Sequence, residues 1–253
     1  MPAGLAWRTA LIHYFRGELN DALTMLDRGL DDPASSRSDR ARALGWLATV
    51  HWLRQDHERC RWAATEALAL AVELDDDGAL AVAHTAMALL AAMEGDQSGN
   101  VTHYRYAERA ALRSGDRLAL IRIWNNLGSR LLEEGRYRAA APAFEDVIKL
   151  AGETGYAALG TLAVHNRGLA NLGLGQLDEA AADFGAAVAS YRELGSRTVA
   201  YPLMRLAEVH RLRGELGQAR AGYEQAVAEV QAAEQTASEE ASGAGLVEFS
   251  MVV

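Results

Sequence analysis

Apolar residues recur along the chain at three- and four-residue intervals, in runs that each stop at a short polar turn before the next begins. Leu118, Ile121, Trp124, Leu127 and Leu131 make one run, and Phe144, Val147 and Ile148 belong to the one that follows. That spacing lays a stripe along one face of a helix, so the runs predict amphipathic helices joined in pairs by tight turns. A Gly marks most of the turns, because its freedom to take positive φ closes the first helix of a pair.

The turns are periodic. Gly17, Gly95, Gly135, Gly175 and Gly214, with Gln55 filling the second place, are separated by 38, 40, 40, 40 and 39 residues. Seven residues before each turn stand Ala10, Ala48, Ala88, Gly128, Gly168 and Ala207; five after it stand Ala22, Cys60, Asn100, Ala140, Ala180 and Ala219. Nine after come Leu26, Ala64, Tyr104, Phe144, Phe184 and Tyr223, and twelve after come Gly29, Ala67, Ala107, Val147, Ala187 and Ala226. Small residues in phase on both sides of a turn are what two antiparallel helices need where they cross, since a larger side chain would push the backbones apart. Six helical hairpins are expected, at 3–16 with 19–31, 38–54 with 57–74, 78–94 with 98–114, 116–134 with 137–153, 156–174 with 177–194, and 197–213 with 216–236. The organisation expected is therefore one repeat domain, 1–236, and a tail, 237–253. In that tail Thr236 to Gly245 reads as a flexible linker and Leu246 to Val253 as a short strand-like peptide.

These residues resemble the tetratricopeptide repeat. The fourth unit reads Trp124-x-x-Leu127-Gly128-x-x-Leu131 and then Ala140-x-x-x-Phe144, the family pattern with Leu in place of Tyr. The resemblance covers about residues 3 to 235, and departs from the family in lacking the unit-ending proline in most copies and in its period of about 40 residues instead of 34. Units of this length resemble those in the sensor regions of bacterial LuxR-type and antibiotic-regulatory transcription activators. The resemblance implies an all-α, right-handed superhelical solenoid whose first helices line a concave groove.

Composition narrows the functions. The chain has 253 residues with a net charge of −9, a field that repels phosphate, so direct nucleic-acid contact is not expected. No apolar run approaches the roughly 20 residues that span a bilayer, and the N-terminal stretch does not read as a signal peptide. With a single cysteine, Cys60, the chain suits a reducing compartment, and the cytoplasm is the expected location. Lys149 is the one lysine among 25 basic residues, a bias of GC-rich bacterial genomes.

No constellation for catalysis is found, and no cofactor or metal is expected. His13, His51 and His210 stand four residues before a turn, where a flat polar-tipped ring packs between helices. His57, His84, His103 and His165 are scattered, with no zinc-binding spacing. Cys60 falls in a small-residue column and reads as a space-filler. The groove is the candidate site. Counted from the small column, its first half includes Trp7, Leu11, Tyr14, Phe15, Arg42 and Trp52, and its second half Arg122, Asn125, Ser129, His165, Tyr201 and Arg211. Asn126 and Asn166 share a column, 166 − 126 = 40, and resemble the asparagines by which repeat proteins of this family hold a peptide backbone. The Lys/Asn/Arg clamp of chaperone-docking members is absent, because Trp7 and Leu11 stand in its place.

The chain is thus read as a non-catalytic sensor or interaction module, the repeat region of a bacterial transcription regulator, that binds a protein, a peptide or a small-molecule effector. A stand-alone adaptor for protein assembly is the alternative, an enzyme's accessory subunit a third, and pairing of two copies into a homodimer is left open.

Overall fold

The computed structural model describes residues 1–196 and 198–243, and within them the regular structure is twelve helices and no strand. They are α1 (Ala3–Arg16), α2 (Leu19–Asp31), α3 (Arg37–Leu53), α4 (His57–Leu74), α5 (Asp77–Met93), α6 (Gln97–Ser114), α7 (Arg117–Glu133), α8 (Tyr137–Thr154), α9 (Ala157–Gly173), α10 (Leu177–Glu193), α11 (Ala200–Leu212) and α12 (Leu216–Gly243). The six expected hairpins are all present. Two ends differ by more than a residue: α11 begins at Ala200 instead of 197, and α12 continues to Gly243 instead of stopping near 236, because Ala237, Glu239, Glu240 and Ala241 favour helix and no glycine follows Gly222 until 243. The strand-like peptide from Leu246 and the side chain of Phe15 lie outside the described residues.

All six turns use one device. Each turn residue has positive φ, from 57° at Gln55 to 79° at Gly17. Its N–H donates to the carbonyl three residues back, and the next N–H donates to the carbonyl five back, as in Gly135 to Leu132 at 2.9 Å and Arg136 to Leu131 at 2.8 Å. This pair of bonds satisfies carbonyls that a helix end leaves without partners. A second series of left-handed residues, Asp75, Gly115, Gly155 and Gly195, turns the chain between hairpins and also repeats every 40 residues. Aspartates then restart the helices: Asp56, Asp76, Asp96 and Asp116 each accept an N–H from three residues on, at 2.9–3.2 Å.

The chain divides into two compact units, Met1–Ile123 and Trp124–Val253. In the first, α1 packs on α3 and α3 on α5, whereas no comparable packing joins α2, α4 and α6 to one another. The first helices are therefore the inner, closer-set layer of this unit. Its core is rich in Ala and includes Leu26, Trp46, Leu47 and Val50. Exposed ion pairs brace this unit: Arg61–Glu94 ties the second hairpin to the third, and Arg37–Glu73 and Arg113–Asp77 close the open ends of the second and third hairpins, each contributing little singly. In the second unit α8 packs on α9, α9 on α10, α10 on α11 and α11 on α12. Phe144 and Phe184 are its fully buried anchors.

The small columns are buried throughout, and the two units with glycine seven before the turn are those with Phe nine after it. A Cβ added at Gly128 would lie 2.7 Å from the Phe144 ring, and one at Gly168 2.8 Å from Phe184. Ring and missing methyl occupy the same space. Gly152 and Gly185, by contrast, sit within helices with nothing near an added Cβ. Gly128→Ala should lower stability by about 1–3 kcal/mol through overpacking, while Gly152→Ala should raise it by about 0.5–1 kcal/mol by removing backbone entropy from the unfolded chain. Urea titrations of the two variants read both signs, and equal midpoints would contradict the register of the repeat.

Candidate ligand-binding faces of the two units

In the first unit the predicted groove residues form an aromatic cluster with two arginines in different states. Trp7 is half-buried, donates its indole N–H to Asp39 Oδ1 at 3.2 Å and carries the Arg8 guanidinium 4.3 Å above its ring. Leu11 is buried in the core, and Tyr14 meets Trp46 edge-on with ring centroids 5.6 Å apart. Trp52 packs half-buried against the same core. Arg42 is committed: it donates to Asp76 at 3.0 and 3.3 Å and to Ser38 Oγ at 2.7 Å, locking the second hairpin to the third.

Arg122 stands in Arg42's column two units later and is buried, 7% exposed. Its guanidinium carbon lies 3.7 Å from the centroid of the Trp46 ring. Burial pushes its pKa down, opposed by the fields of Tyr14, Tyr104 and Asp116. Trp46 was not among the expected site residues, although the signal was in reach, since it occupies the column of Asn126 and Asn166 two units earlier.

In the second unit the amides meet in a different pairing from the expected one. Asn166, 8% exposed, donates from Nδ2 to Asn125 Oδ1 at 3.2 Å and to Ser129 Oγ at 3.4 Å. Asn126 is half-buried beside them. Among the described residues Asn125 Nδ2 and Asn166 Oδ1 have no protein partner, so a donor and an acceptor remain side by side. His165 packs on Phe184, ring centroids 5.5 Å apart, and its Nδ1 is buried without a partner. Tyr201, 50% exposed, and Arg211 lie on α11 at the surface. Sequence reasoning also missed Asp183, which is buried and accepts from Arg167 at 2.6 and 3.1 Å and from Asn171 at 2.9 Å, holding α9 to α10. A cavity of about 390 Å3 opens between α8, α9 and α10 against Gly152, Thr161, Val164 and Leu194, and contains none of the predicted site residues.

The histidines sort differently from expectation. His13, His51 and His210 each face the acid one residue past the turn: Glu18 at 2.7 Å, Asp56 at 3.6 Å and Glu215 at 2.5 Å. His13 and His210 latch the turn side chain to side chain over the backbone bonds already joining the same residues, whereas His51 Nδ1, 3.6 Å from Asp56, is buried without a hydrogen-bond partner. Asp21 joins His13 and Glu18 within 4.8 Å, three groups that could hold a metal ion, but the recurrence of the latch at His210 accounts for the pair without one. His84 and His103 are not scattered. Lying 11 before and 8 after the same turn, they face each other across α5 and α6 with Nδ1 atoms 3.1 Å apart, sharing one proton. Burial, then the facing ring, pushes His84 down to about 4. Cys60 is fully buried, and burial drives its thiol up to about 11, the state of an inert packing residue.

Against known proteins, a family model for the tetratricopeptide repeat matches residues 121–154. Solved structures extend the likeness over the rest of the chain. BtubC from P. vanneervenii superposes with a TM-score of 0.68 at 17% identity, over 95% of each chain. The protein has a tetratricopeptide-repeat fold. A Rap protein in complex with Competence and Sporulation Factor superposes on the repeat protein with a TM-score of 0.70 at 14% identity, over 88% of this chain and 63% of that one. A signal-transduction ATPase with a tetratricopeptide-repeat sensor, from Pyrococcus horikoshii, gives 0.58 at 13% over 93% and 43%. The curated proteins contain no match. No described helix is long and apolar enough to cross a membrane.

The buried histidines make the repeat protein acid-sensitive in a defined window. Burial, then Arg205, pushes His165 to about 4, as burial and His103 do for His84. In the unfolded chain both would titrate near 6.5. The unfolded state therefore binds protons first as pH falls, and stability is full above pH 6.5 and drains between 6.5 and 4. Melts recorded at pH 7 and pH 4.5 should show a drop in Tm that is several degrees smaller in a His84→Gln, His165→Gln variant. An equal drop would mean that other groups govern the acid response.

Proposed function

We propose that the repeat protein is a non-catalytic binding module that holds extended peptide or protein segments against the first helices within each unit. The observation that carries this reading is the amide pair of the second unit. Asn125 and Asn166, only 6% and 8% exposed, bond to each other and leave the Asn125 Nδ2 donor and the Asn166 Oδ1 acceptor without a protein partner but open to solvent, a donor and an acceptor that complement a peptide group. Water serves these groups in the free protein, and a bound segment that displaces it must replace those bonds, at a cost of about 1–3 kcal/mol for each left unmade, which selects for a main chain with matching N–H and C=O. Helix interiors do not require asparagine there, since other units carry Gly45 and Thr85 in the column of Asn125. The aromatic cluster of Trp7, Tyr14 and Trp52 supplies the apolar part of a ligand site in the first unit.

Within that reading, the role is that of a sensor region in a bacterial transcription regulator acting in the cytoplasm. The resemblance of its units, with turns 38 to 40 residues apart, to those of such sensor regions supports it, as does the fold shared with a sensor in a signalling ATPase and with a Rap protein in complex with Competence and Sporulation Factor. A stand-alone adaptor uses the same surface, and differs in lacking an attached effector domain.

A displayed library of extended peptides, followed by calorimetric titration of the selected sequences, tests the module. Asn125→Ala with Asn166→Ala should weaken the selected peptides by about 1–3 kcal/mol with little change in Tm, and Trp52→Ala should weaken apolar ones. Wild-type affinity in both variants, together with loss on substitution of exposed residues of α4 or α10, would move the binding surface to the second helices.

A further inference from the structure

The first unit buries a cation that it does not neutralise. An ionised side chain is removed from water at a cost of several kcal/mol unless it is paired, and the repeat shows what pairing looks like. Arg42, in the same column, is held by Ser38 and Asp76. The residues eighty positions on from those two are Leu118 and Tyr156, so the exchange that supplied Arg122 with its guanidinium supplied neither partner. Among the described residues no carboxylate lies within ion-pair distance of Arg122. Asp116, whose field reaches it, is already used at the start of α7, where it accepts the Ala119 N–H at 2.9 Å.

What Arg122 has instead is the Trp46 ring. With the guanidinium carbon 3.7 Å from the ring centroid, the flat face of the group meets the indole. A cation–π contact of this kind uses the face and leaves the in-plane N–H donors at the edge. Those donors form a rigid fork matched to two oxygens. Tyr14 stands edge-on against the same indole, and Tyr104, nine residues past the third turn, is buried and contributes to the field at the guanidinium.

Resting on the peptide-binding reading above, we propose that Arg122, braced by Trp46, is the recognition point for a carboxylate of the bound ligand, next to an apolar group that takes the aromatic cluster. Carboxylate fits better than phosphate. One fork neutralises one negative charge, whereas a phosphate monoester carries nearly two, and Arg37, Arg42, Arg61 and Arg113 of this unit are already paired with acids. The net charge of −9 repels anions at long range, but it is screened over about 8 Å at physiological salt, so the selection acts at contact and not in approach.

The test uses the whole chain and matched probes: acetyl-Ala-Leu-Phe with a free carboxylate, the same peptide as its amide, acetyl-Ala-Glu-Phe-amide, and inorganic phosphate. Affinities come from titration of tryptophan fluorescence, and the site from perturbation of the Trp46 indole and Arg122 Nε–H signals in NMR spectra. The free carboxylate should bind at least tenfold more tightly than the amide and shift both signals, and phosphate should do neither. The Glu-bearing peptide tells a side-chain carboxylate from a chain terminus as the source. Arg122→Met should abolish the preference while melting at or above the wild-type temperature, since an apolar side chain replaces an unpaired buried charge. Equal binding of carboxylate and amide, with loss of both in Trp52→Ala, would sink the carboxylate inference and keep the peptide site. Absence of binding by every probe, or a large fall in Tm in Arg122→Met, would overturn the inference by making Arg122 a structural residue.

Discussion

Every hairpin depends on two helix backbones approaching closely enough to interlock. Where the residue seven before the turn is alanine, a leucine, alanine or tyrosine comes nine after it; where it is glycine, a phenylalanine ring enters the vacated space, and an added methyl would stand 2.7 Å from it. Six crossings of this kind fix the register of both helices, and the register decides which residues reach the inner layer. The turns serve this approach. Two hydrogen bonds around one left-handed residue reverse the chain within a few positions, leaving no slack for the helices to slide.

Elements and register were legible because they are written redundantly. Four columns in phase located six turns, and even Gln55, the one turn residue without glycine's freedom, adopts positive φ as its place in the series requires. The helical extent of α12 was less legible, since composition alone suggested a linker where Ala and Glu continue the helix. The second series of left-handed residues was equally visible in Gly115, Gly155 and Gly195, but a search anchored on one turn per unit passes over the other.

The site was legible as a surface and not as a set of pairings. A column places a residue on a face; it does not say whether Arg42 will reach forward to Asp76 or Arg122 settle on Trp46. Such choices depend on side-chain reach and on what stands one unit away. Asn166 illustrates the limit. The period pairs it with Asn126, but helices in adjacent hairpins are offset, and the amide meets Asn125 one residue earlier, 41 positions away. His84 and His103 were likewise separable in the sequence and adjacent in space, because a hairpin folds position 11 before its turn onto position 8 after it.

The inter-hairpin bonds have a further consequence, which lies in time and not in space. Arg42 to Asp76, Arg61 to Glu94, Arg213 to Asp178 and Asn166 to Asn125 join residues 34, 33, 35 and 41 positions apart. Contacts this local keep the entropy of loop closure small and folding fast. A chain emerging from the ribosome can close each hairpin, and dock it on the one before, as soon as some forty residues more have left the exit tunnel. The unfolded stretch exposed to proteases or to wrong partners then stays about one repeat long throughout synthesis, whatever the number of repeats.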